Sequence, residues 1–157
     1  METIELYVDN VNDCYHPFDY DDLSADFISH IDSKVGRTKT KDINISIVSS
    51  KKLSDEDQEA LLDSIKAHYK LEYYYNRKEN RQMHLKNIGI FIIGVLILIF
   101  KNHIPMLYTI SDITDIFGCF AIWSAVENIL FTDYRQDSYL KIIKKVVNSK
   151  ITFKVKK

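Results

Sequence analysis

Residues 87–100 read NIGIFIIGVLILIF, and past Asn87 no polar side chain occurs before Lys101. A helix of this composition is apolar on every face, which suits the centre of a large core or a membrane span. A chain of 157 residues is too short to enclose a helix on all sides, so the stretch reads as a transmembrane helix. The apolar run alone covers only about 21 Å, against a hydrocarbon core of about 30 Å. Lys86 and Lys101 flank it. Their long side chains can snorkel to the interfaces and extend the usable helix to about residues 85–102.

A second candidate follows at 110–131, ISDITDIFGCFAIWSAVENILF, after the short segment HIPMLYT with Pro105. Two spans joined so closely predict a helical hairpin. Arg77, Lys78, Arg81 and Lys86 precede the hairpin, and Arg135, Lys141, Lys144 and Lys145 follow it. The connecting segment carries only Lys101 at its edge. The positive-inside rule then expects both termini in the cytoplasm.

Charge is split along the chain. Residues 1–70 hold 15 acids and 8 bases, net −7, and residues 71–157 hold 7 acids and 13 bases, net +6. The opening METIELYVDN is acidic and lacks the apolar stretch of a signal peptide, so the first span is expected to direct insertion. Cys14 falls in the expected cytoplasmic part and Cys119 within a span, so no disulfide is expected.

The remaining segments predict a small α/β domain. Ile4, Leu6 and Val8 alternate with Glu5 and Tyr7, as in a half-buried strand. Residues 9–20 read as a loop. Asp21 and Asp22 favour a helix start, and Leu23, Phe27, Ile28 and Ile31 recur at helical spacing. Gly36 is the expected C-terminal cap. Ile43, Ile45 and Ile47 mark a second strand. Ser54 with Asp57 resembles a capping box. A long helix is expected from about residue 55 into the membrane, with Leu61, Leu62, Ile65, Tyr69 and Tyr73 on one side. An amphipathic helix at about 137–148 and a strand at 151–155 close the chain. The three strands are expected in one sheet. The fold class is therefore membrane α+β: a two-helix transmembrane hairpin with a small cytoplasmic β-α-β domain completed by a C-terminal strand. The expected divisions are 1–84, 85–131 and 132–157.

Few residues suggest chemistry. Glu127 sits near the end of the second span, four residues after Trp123. Ionisable groups in spans usually face protein or water, so Glu127 and Trp123 are candidate pore or gate residues. An ion pair of Glu127 with Arg81, Lys86 or Arg135 is the structural alternative. Asp115, with Asp112, could form an acidic ring at an outer mouth or simply complement a helix N-terminus. Gly118, Ala121 and Ala125 share a helix face and suggest close approach to a second copy. Tyr73, Arg77, Lys78 and Arg81 could bind a nucleotide or oligonucleotide by stacking and phosphate contact, although anionic lipid also explains the bases. Cys14, His16 and Asp19 match no zinc pattern. No catalytic triad, phosphate loop or metalloprotease motif occurs, so no enzyme, cofactor or metal site is expected.

The segment FGCFAIWSAVENILFTDYRQDSYLKIIKKV, with Trp123, Glu127 and Arg135, and the strand at 151–155, resembles a widespread group of small bacterial two-span membrane proteins. That group implies an architecture rather than an activity. The layout is also similar to that of channel-forming effectors of anti-phage systems, as an analogy of design. The expectation is a homo-oligomer in the inner membrane of a bacterium, with both termini cytoplasmic, working as a ligand-gated channel or membrane-disrupting effector. The alternative is a membrane tether that recruits a cytoplasmic protein partner.

Overall fold

The computed structural model describes residues 2–17, 19–103 and 111–156. The segment expected to turn the hairpin, residues 104–110, lies outside the described residues. The chain divides into two compact units, Met1–Tyr75 with Leu140–Lys157, and Asn76–Tyr139.

The first unit is built on a parallel sheet. Strand β1 (Glu2–Val8) buries Ile4, Leu6 and Val8, as its alternation requires. Two short strands follow, β2 (Tyr15–His16) and β3 (Asp19–Leu23), then helix α1 (Ala25–Gly36) and strand β4 (Ile43–Ser49). The last strand, β5 (Lys150–Val155), pairs with β4. The sheet order is β1-β4-β5, with both pairings parallel. β4 is therefore central, and its successive residues Ile45 and Ser46, which face opposite sides of the sheet, are both buried. Parallel neighbours need a crossover, which α1 supplies between β1 and β4. Phe27, Ile31 and Val35 of α1, with Leu61, Ile65 and Tyr69 of helix α2 (Asp55–Phe100), complete the core.

Three expectations about this unit need correction. Residues 15–23 are not loop and helix start: β2 and β3 form an antiparallel pair, Tyr15 opposite Leu23. Asp21 and Asp22 lie in β3, and the helix begins after Ser24, whose hydroxyl accepts from Phe27 N at 3.2 Å. Ser24 is itself fixed by its N–H to Cys14 O, 2.8 Å, so local acid preference loses to a pinned N-cap. Gly36 is the last residue of α1, as expected, but the cap position falls on Arg37 in right-handed backbone. Among the described residues none has positive φ, and α1 closes through Thr38, whose hydroxyl donates to Val35 O at 2.7 Å. Gly36 instead admits Ile142, since a Cβ there would lie 3.2 Å from Ile142 Cδ1.

Helix α2 is 46 residues long, about 69 Å at the α-helical rise. Ser54 caps it, accepting from Asp57 N at 3.1 Å. The expected reciprocal bond takes another form: the Ser54 hydroxyl donates to the Asp57 carboxylate at 2.6 Å. Tyr69 is buried and donates to Asp32 at 2.8 Å, tying α2 to α1. Helix α4 (Asp133–Asn148) ends in this unit, burying Ile143 and Val146. Its last carbonyls are held by Lys66, whose Nζ donates to Val146 O, Val147 O and Ser149 O at 3.0, 2.8 and 2.6 Å. A cation suits that negative end of the helix dipole.

The second unit is a helical hairpin: the later turns of α2 against helix α3 (Ser111–Glu127). A π-helical turn at Asn128–Thr132 joins α3 to α4. Among the described residues, two helices are long and apolar enough to cross a membrane.

Candidate functional site

The polar and small residues of the hairpin define the candidate site. On α2, Asn80, Asn87 and Gly94 are buried. They recur every seven residues, the period of a coiled-coil seam, and Lys101 continues the row. On α3, Thr114, Gly118 and Ala125 are buried. The two rows meet at the glycines. A Cβ on Gly94 would lie 3.0 Å from Gly118 O, and one on Gly118 would lie 2.6 Å from Leu98. The helices approach so closely because neither residue has a side chain. Gly118, Ala121 and Ala125, expected to face a second copy, are thus engaged inside the protomer, with Ala121 beside Gly94. Gly89, by contrast, has open space around it.

Both ends of this seam are polar. At one end the Lys101 ammonium bonds both oxygens of Asp115, one of them at 2.6 Å. Asp115 is therefore charge-compensated within the hairpin. At the other end Asn80 donates to Asp137 at 2.8 Å. Among the described residues, Asn80 Oδ1 and Gln136 Oε1 are buried without a donor.

Glu127 and Trp123 lie elsewhere. Ile116, Phe120, Trp123 and Glu127 are spaced four, three and four apart, and they share the side of α3 away from Gly118 and Ala125. The first three are 68, 69 and 67 % exposed, and Glu127 is exposed with them. Among the described residues Glu127 forms no ion pair with Arg81 or Lys86. The side chain of Arg135 lies outside the described residues. Glu127 precedes Asp133, the next charged residue, by six positions, or about 9 Å of helix.

The nucleotide candidates fall on one stretch of α2. Tyr73, half-buried, belongs to the first unit, and the exposed Arg77, Lys78 and Arg81 to the second. Arg77 and Arg81 share a helix face at four-residue spacing. Cys14 is fully buried, and burial with the nearby Asp13 pushes its thiol up to about 12. Among the described residues no three metal-capable side chains gather.

Sequence reading missed the seam, although its signal, the seven-residue row from Asn80 to Lys101, is present in the chain. Comparison with family models, curated proteins and solved structures finds no match to this chain.

Proposed function

We propose that the chain is an oligomeric integral protein of a bacterial inner membrane, with both termini cytoplasmic. In this reading it is a ligand-gated ion channel, or a membrane-disrupting effector, controlled by its cytoplasmic unit. One hairpin cannot enclose water, so conduction needs a ring of copies with α3 at the axis.

The observation that carries the reading is the placement of Glu127. It lies opposite the face that α3 uses inside its own protomer, among Ile116, Phe120 and Trp123. An acid turned to lipid costs about 2.5–3.5 kcal/mol at the bilayer centre and less near the interface. A neighbouring copy of α3 that encloses water removes that cost. Because Lys101 compensates Asp115, the field of such a pore would come from the Glu127 carboxylates rather than from an outer acidic ring.

The test begins from a Cys119→Ser background. Phe120→Cys should cross-link copies under mild oxidation in native membranes, and Glu127→Gln should reduce cation selectivity in planar bilayers while the oligomer survives. Monomers alone, with no conductance, would instead favour the tether that recruits a cytoplasmic partner.

A further inference from the structure

A second site lies wholly within the first unit. Five lysines, Lys39, Lys41, Lys141, Lys144 and Lys145, line a cavity of about 440 Å³. They come from two segments a hundred residues apart in sequence. Lys39 and Lys41 lie between α1 and β4, and the other three share one face of α4 at three- and four-residue spacing.

The cluster is built rather than incidental. Lys145 is half-buried, and its Nζ donates to Thr38 O at 2.8 Å and to Thr38 Oγ1 at 3.3 Å. Thr38 is buried and bonded to Val35 at the end of α1. The loop that carries Lys39 and Lys41 is thereby fixed to the lysine face of α4. Gly36 closes the same junction by admitting Ile142. Among the described residues no carboxylate pairs with any of the five lysines. Glu2, beside this loop, accepts instead from Thr40 at 3.0 Å. The fold thus brings several like charges, four of them exposed, to one face without a counterion among the described residues, an arrangement that a multivalent anion relieves.

We propose that this cavity binds a ligand carrying two or more phosphate groups, through ammonium-to-phosphate contacts. A free polyphosphorylated molecule and a cluster of neighbouring anionic lipid headgroups both present that chemistry. The site is distinct from Arg77, Lys78 and Arg81, and its occupancy does not depend on whether the hairpin conducts.

The experiment uses the full chain in detergent and in lipid nanodiscs, with inorganic tripolyphosphate as the probe. Tripolyphosphate should raise the Tm and bind more weakly as salt increases. The triple change Lys39→Gln, Lys141→Gln and Lys144→Gln should weaken binding by about tenfold or more, and the triple change Lys51→Gln, Lys52→Gln and Lys156→Gln by no more than about twofold. Lys145 is left intact because it anchors Thr38. Binding that persists in phosphatidylglycerol discs assigns the site to a free ligand. Binding that is present in phosphatidylcholine discs but lost in phosphatidylglycerol discs, where lipid competes with the probe, assigns it to lipid headgroups. Equal losses from the two triple variants, or no binding in detergent and in either disc, would overturn the proposal.

Discussion

Gly94→Ala should weaken the hairpin, although alanine is the better helix former. The new Cβ would meet Ile122 Cγ1 at 2.9 Å, Gly118 O at 3.0 Å and Ala121 Cβ at 3.1 Å. A side chain can turn aside, but the Gly118 carbonyl moves only with its helix, so α2 and α3 must separate. Overpacking of this kind costs about 1–3 kcal/mol. The propensity gain of alanine over glycine offsets about 1 kcal/mol. The expected net loss is therefore about 1 kcal/mol. Gly89→Ala supplies the control, because nothing lies within 4 Å of its Cβ position. It should gain about 0.5–1 kcal/mol from the same propensity term. The two alanines should shift stability in opposite directions. Reversible unfolding in mixed micelles, followed by helical circular dichroism, measures both. Gly118→Ala adds a further check: its obstacle is the Leu98 side chain, so Leu98→Ala should rescue Gly118→Ala and leave Gly94→Ala unrescued. Equal stabilisation by Gly89→Ala and Gly94→Ala would refute the glycine seam.

Lys66→Met should lower the stability of the first unit by about 1–2 kcal/mol, since three carbonyls at the end of α4 lose a charged donor. A melting curve unchanged from wild type would show that water replaces the ammonium without cost. Cys14 should resist maleimide at pH 8 in a Cys119→Ser background and react only on unfolding. Its folded pKa, raised to about 12, lies above the unfolded value of about 8.5, so the associated stability is present below about pH 8.5 and lost towards pH 12. Cys14→Ala should remove that alkaline component, and an identical alkaline slope in both proteins would contradict it. Deleting residues 150–157 removes β5 and opens one side of β4, so the melting temperature of the first unit should fall; a truncated chain that melts as the full chain does would show that β5 contributes nothing.

The sequence displayed what local periodicity can encode. Ile4, Leu6 and Val8, and Ile43, Ile45 and Ile47, alternate over enough residues to mark strands. The strand order was not legible, because parallel neighbours are chosen by tertiary packing rather than by a turn. β2 has two residues and β3 reads DYDDL, so neither carries an apolar alternation long enough to compete with a loop. The seam was hidden for the opposite reason. In the run from Asn87 to Phe100 nearly every side chain is apolar, so hydropathy cannot distinguish the row that faces α3. Glu127 stands out as a charge in an apolar segment, but its face is set by Gly118 and Ala125 turning the other way, which hydropathy does not encode. The lysine cavity joins residues near 40 with residues near 143, and no local pattern announces such a meeting.

The pairing of β4 with β5 also sets an order of events during synthesis. Asn44 pairs with Lys150, and Lys156 N donates to Ser49 O at 2.9 Å. Between these strands the ribosome makes both membrane-capable helices. One edge of β4 must therefore stay open until the final residues emerge. With the hairpin threaded as proposed, β5 reaches that edge only after an even number of crossings. A chain whose α3 failed to return would leave β5 on the far side of the membrane and the sheet one strand short. In that threading, completion of the sheet would serve as a built-in check on insertion, and misthreaded chains would present an unpaired strand edge to proteases and chaperones.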